Sequence, residues 1–89
     1  DEIIQGLLIG IARDIAHTLE VFTNDTVCRH GAWYIANCGF GISCEAVGRC
    51  QSVSKQAVSE AIQRITDRMD DRHFERQMQR IAESFGVSL

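Results

Sequence analysis

No run of basic residues occurs in this chain of 89 residues, and with nine basic against twelve acidic side chains its formal net charge is -3. Nucleic-acid binding needs a concentrated basic footprint, so it is not expected here. The longest apolar stretch, Leu7-Leu8-Ile9-Gly10-Ile11-Ala12, falls far short of the roughly twenty residues of a membrane span. Catalytic signatures are missing too: there is no Gly-x-Ser-x-Gly, no Gly-x-x-x-x-Gly-Lys and no His-Glu-x-x-His. His17, His30 and His73 stand apart from one another, at no spacing that builds a metal site on one element. So small a domain has little room for a pocket that excludes water, and neither enzymatic activity nor a cofactor is expected.

What is present begins with four cysteines, Cys28, Cys38, Cys44 and Cys50, gathered in one 23-residue stretch. A chain this short buries only about 60–65% of the surface its unfolded form exposes, so one marginal domain over 1–89 is expected and staples would help it. An even cysteine count in such a chain is read as a disulfide framework of two bridges, with the three pairings left open. Intervals of nine, five and five residues do not match the close pairs of a zinc site. The first interval is shared with helical-hairpin proteins of oxidising organelles, but Gly31, Gly39, Gly41 and Gly48 argue against helix in this region. The chain opens at Asp1 with neither methionine nor a basic segment before an apolar run. From that opening a removed signal or pro-segment, and hence a secreted protein, is expected. Asn24-Asp25-Thr26 fits an N-glycosylation sequon in a turn.

Ile4, Leu8, Ile11, Ile15, Leu19 and Phe22 recur every three or four positions, with Ile3 and Leu7 widening the stripe, which predicts a helix to about residue 22. Asp1 and Glu2 favour its start, and Thr23 to Thr26 supply a turn after it. Gly6 and Gly10 inside this helix each cost close to 1 kcal/mol relative to alanine, so close approach of another element or a second chain is expected there. Ala12 and Ala16 extend that face of small residues.

Between Thr26 and Cys50 the pattern changes. Ala32-Trp33-Tyr34-Ile35-Ala36 reads as a strand, Gly39-Phe40-Gly41 as a bend, and Ile42 to Val47 as a returning strand. Alternation then sends Trp33 and Tyr34 to opposite faces, with Phe40 at the tip as a folded-back core residue or an exposed anchor. After Cys50, Ser54 with Val53 and Val58 around it predicts an N-cap and staple. The helix that follows buries Val58, Ile62, Ile65 and Met69. The phase slips at Asp70-Asp71, either of which can cap a third helix carrying Phe74, Met78, Ile81 and Phe85. Gly86-Val87 reads as its stop, with a contact back to Ala82. Arg64, Arg68, Arg72, Arg76 and Arg80 are threaded with Asp67, Asp70, Asp71, Glu75 and Glu83, predicting a self-neutralised surface.

The run Trp33-Tyr34-Ile35-Ala36, taken as a strand, leads through Ala46-Val47-Gly48-Arg49-Cys50 into Val58-Ser59-Glu60-Ala61-Ile62 as a helix. This pattern resembles small secreted killer toxins of fungi and their viruses over about a third of the chain. The resemblance implies a proteolytically released α/β sandwich acting on target-cell membranes or channels, some members working as two chains, and it carries over no functional residue.

The expected fold is α+β, a small antiparallel disulfide-stapled sheet packed against three helices, with an all-α disulfide-linked bundle as the alternative. The expected function is that of a secreted, non-enzymatic toxin or effector meeting a membrane, channel or partner subunit. The alternative is a signalling or inhibitory protein binding a receptor or enzyme through the hairpin. The candidate interaction surface comprises Gly6, Leu7, Gly10, Ile11, Trp33, Tyr34 and Phe40.

Overall fold

The computed structural model describes residues 2–19 and 24–89. Five helices follow one another: α1 (Glu2–Thr18), α2 (Asp25–Cys38), α3 (Cys44–Gln51), α4 (Lys55–Arg68) and α5 (Arg72–Ser84). Asp1, Phe22 and Thr23, assigned from the sequence to the first helix and its turn, lie outside the described residues.

Three of these helices follow the apolar spacing. In α1, Leu8, Ile11 and Ile15 are buried and Leu19 continues the stripe just beyond, whereas Ile3 points away with 83% of its surface exposed. In α4, Ser54 accepts from the Ala57 amide as N-cap, and Val58, Ala61 and Ile65 face the core. Of the two aspartates before α5, Asp71 is the cap, its carboxylate accepting from the His73 and Phe74 amides. Helix α5 ends as the sequence implies, with Gly86 at φ +88° and the Val87 amide donating to the Ala82 carbonyl at 3.0 Å.

The expected α+β fold is corrected by the segment from residue 25 to 51, which forms two helices, and no strand occurs among the described residues. Helical spacing explains its burial: Cys28, Gly31, Ala32, Ile35 and Ala36 are all buried, following i, i+3, i+4, i+7 and i+8 rather than alternating. Asn24 caps α2 through its side-chain oxygen, 2.9 Å from the Val27 amide. The glycines that argued against helix serve close packing instead. A Cβ on Gly31 would lie 2.8 Å from the Ile15 Cδ1, and one on Gly48 would lie 2.7 Å from the Val53 carbonyl oxygen. Only at Gly41, with φ +72°, does a glycine in this region supply a left-handed turn.

The all-helical alternative fits, but without disulfides: none joins Cys28, Cys38, Cys44 or Cys50. Helix geometry accounts for part of this. Cys28 and Cys38 stand ten positions apart on α2, a rise of roughly 15 Å, and Cys44 and Cys50 stand six apart on α3, roughly 9 Å. A disulfide requires Cα atoms within about 7 Å.

One apolar cluster takes residues from all five helices, including Ile11, Ile35, Val47, Val58 and Met78, each with no exposed surface. Helix α1 packs on α2, α2 and α3 pack on α4, and α5 rests against α1 and α2. The face of α1 turned away from α5 borders α2 and the end of α3, and there the site lies.

Candidate binding groove along the first helix

Between α1 and α2 lies a groove of about 360 Å³, floored by Leu8, Cys28, Ala32 and Trp33 and walled by Ile9, Ala12 and Ala16. A second depression, of about 480 Å³, is lined by Glu2, Gln5, Gly6, Ile9, Arg49 and Cys50. The two share Gln5 and Ile9, and together they border α1 from Glu2 to Ala16. Over those positions a helix rises roughly 21 Å. Ile9 stands between the two hollows with 44% of its surface exposed.

A polar chain crosses the groove at its middle. The Trp33 indole N–H donates to Gln51 Oε1 at 3.4 Å, and the Gln51 amide donates to Gln5 Oε1 at 2.7 Å, linking α2, α3 and α1. The indole is held from its other side by the His30 ring, 5.0 Å away between centroids, and by the Arg29 guanidinium, 6.0 Å from the ring centre. Partial burial, followed by the charges of Arg29 and Arg64, pushes the His30 pKa below its ordinary value, so this ring is neutral at pH 7.

Arg13 on α1 and Arg29 on α2 stand on the groove's rim, both exposed. The one ion pair among the described residues joins Arg49 and Glu45 at 3.3 Å. The expected pairing of the later arginines therefore needs correction: Arg64, Arg68, Arg72, Arg76 and Arg80 are exposed, with Arg68 lying over the Phe74 ring at 4.6 Å. The neighbouring acids are otherwise engaged, Asp71 in capping, Asp67 with Gln63 and Glu83 with Gln79.

The residues singled out from sequence scatter. Gly6 is exposed in the second hollow, and a Cβ there would meet nothing within 4 Å, so no described element of the chain approaches this glycine closely. A Cβ on Gly10 would make only ordinary contact, 3.7 Å from the Phe85 ring. Leu7 is half-buried, and Ile11 is fully buried and offers no surface. Trp33 forms the groove floor with 4% exposure, whereas Tyr34 turns to another side of α2, beside Cys38. Phe40, 37% exposed, sits in the α2–α3 connection rather than at a hairpin tip. Asn24 is exposed, and its cap uses Oδ1 and leaves Nδ2, the atom that carries a glycan, outside that bond.

Sequence reading passed over Ile9, Arg13, Arg29, Gln5 and Gln51. Ile9 had a visible signal, an apolar residue off the buried stripe; the glutamines had none, because 46 residues separate the pair that bonds. No cluster of three metal-ligating side chains occurs among the described residues, and no described helix is long and apolar enough to cross a membrane. Trp33 to Ala36, read as strand in the killer-toxin resemblance, lies within α2. No protein family, curated protein or solved structure matches the chain.

Proposed function

We propose that this is a secreted, non-catalytic binding protein of the signalling or inhibitory kind, which receives an amphipathic helix of a receptor or enzyme in the groove along α1. The observation that carries this reading is that the two hollows meet at Gln5 and Ile9, the one between α1 and α2 having an apolar floor, with Ile9 exposed beside it. A small-molecule site encloses most of its ligand. The pair of hollows is open and elongated, matching about four turns of helix. Its rim sets the partner's charge: beside Asp25 it carries Arg13 and Arg29, which make no ion pair among the described residues, so acidic residues flanking the incoming apolar stripe complement the two arginines.

Trp33, the only tryptophan, reports occupancy directly. The test titrates the protein with a synthetic amphipathic peptide of about 14 residues, leucines on one face and glutamates beside them, while following Trp33 emission. Saturable binding that weakens with salt and is lost in Ile9→Asp and Gly6→Leu supports the reading. Binding that is indifferent to both variants overturns it. Ile3 and Ile9, exposed on α1, also favour a second reading, a toxin-like protein acting at a membrane surface. Leakage from dye-loaded vesicles, abolished by Ile9→Asp, would replace the first reading with that one.

A further inference from the structure

The connection between α2 and α3 brings two thiols together at the side of the molecule away from the groove. After Cys38 the chain bends back, with the Phe40 amide donating to the Ile35 carbonyl at 3.3 Å and the Ile42 amide to the Ala36 carbonyl at 3.1 Å. The Asn37 side-chain amide holds the Ile42 carbonyl at 2.9 Å. Residue 42 is thereby tied over the last turn of α2, and Cys44, two positions on, opens α3 close enough to Cys38 for its charge to act on that thiol. Cys38 is exposed and Cys44 half-buried, and the Cys38 thiol donates to the Asn37 side-chain oxygen at 3.9 Å.

We infer that Cys38 and Cys44 form a dithiol that closes into a reversible disulfide in an oxidising environment, clipping the end of α2 to the start of α3. Three of the other five pairings are excluded by position. Cys28 lines the Ala16 end of the groove and Cys50 the Gly6 end, and each intrahelical pair is separated by the rise of its own helix. The electrostatic influence of Cys44 on Cys38 accords with their closeness.

The co-reactant is a small-molecule disulfide such as oxidised glutathione. The more exposed Cys38, as thiolate, attacks one glutathione sulfur; the glutathione S–S bond breaks, one glutathione thiolate leaves, and a mixed disulfide forms. Cys44 loses its proton, attacks the Cys38 sulfur and expels the second glutathione thiolate. Two protein S–H bonds and one glutathione S–S bond are exchanged for one protein S–S bond and two glutathione S–H bonds, with two electrons passing to glutathione.

The test equilibrates the intact protein with oxidised glutathione, alkylates the remaining thiols and maps the peptides. Trypsin places Cys38 and Cys44 together in His30–Arg49, Cys28 in Asp14–Arg29 and Cys50 in Cys50–Lys55. The expected result is a loss of two hydrogens within His30–Arg49, with the two halves still joined after chymotryptic cleavage at Phe40. Cys44→Ser is expected to hold glutathione stably on Cys38, and Cys38→Ser to form no protein disulfide. Alkylation of all four thiols, a link between Asp14–Arg29 and Cys50–Lys55, or glutathione retained on Cys38 in the unsubstituted protein would overturn the assignment.

Discussion

Gly48 and Val53 meet twice: the Val53 amide donates to the Gly48 carbonyl at 3.0 Å, and the Val53 carbonyl oxygen occupies the space, 2.7 Å away, that a Cβ on Gly48 would need. The chain thus leaves α3, passes Ser52 in a left-handed conformation at φ 58°, and doubles back over its own last turn into α4.

The obstacle at Gly48 is backbone, which cannot rotate away as a side chain does. Gly48→Ala is therefore expected to destabilise the fold by about 1–3 kcal/mol, despite alanine's better helix propensity. Gly6→Ala, where the added methyl meets nothing, is expected to stabilise by up to about 1 kcal/mol. Urea unfolding of the two variants checks both signs, and similar midpoints would refute the distinction.

Acidification is expected to weaken the protein through His30. Its folded pKa lies below the ordinary histidine value, because burial and then the charges of Arg29 and Arg64 disfavour the imidazolium. Below pH about 6.5 the unfolded chain takes up the proton more readily than the folded one, so stability present at neutral pH falls as pH drops towards the folded pKa. His30→Gln is expected to flatten this part of the profile, measured as the melting temperature between neutral and mildly acidic buffer.

Asn24 serves the fold as a cap whether or not it carries sugar. Asn24→Ala is expected to cost about 0.5–2 kcal/mol, read by thermal melting of protein made without glycosylation. Thr26→Ala destroys the sequon but leaves the Asn24 Oδ1 bond to the Val27 amide in place. In a secretory host, a glycosylated parent and an unglycosylated Thr26→Ala of unchanged stability are expected; a parent without sugar would remove that support for secretion.

Cys38 is expected to react slowly at neutral pH, since partial burial pushes its thiol up and Cys44 adds to the effect, while the Tyr34 hydroxyl works in the opposite direction by favouring the thiolate. Tyr34→Phe is therefore expected to slow iodoacetamide labelling of Cys38 further at fixed pH. Faster labelling would show that the hydroxyl does not assist the thiolate.

The helices α1, α4 and α5 were readable because each buries a stripe at intervals of three or four and carries its own start signal, such as Ser54 or Asp71. Helix α2 was not, though Asn24 and the buried series from Cys28 to Ala36 carried the same kind of signal. The glycines outweighed it. A helical glycine costs close to 1 kcal/mol in local terms, and what offsets that cost at Gly31 is the Ile15 methyl from another helix, invisible in the neighbouring residues. The pairing of the cysteines was likewise not legible: their even number implied two bridges, and helical rise decides which sulfurs can meet.

The sequence by itself determined the positions of three amphipathic helices, the cap at Ser54, a cap at one of Asp70 and Asp71, the stop at Gly86 and the lack of a membrane-length apolar stretch, because periodicity, capping and length act within a few residues of chain. Tertiary structure alone decided that Trp33 floors a groove instead of facing out from a strand, that Gln5 reaches Gln51, and that Cys38 lies close to Cys44. Each of these depends on where one helix crosses another, and that is settled by which side chains, and which missing side chains at Gly31 and Gly48, let the backbones come close.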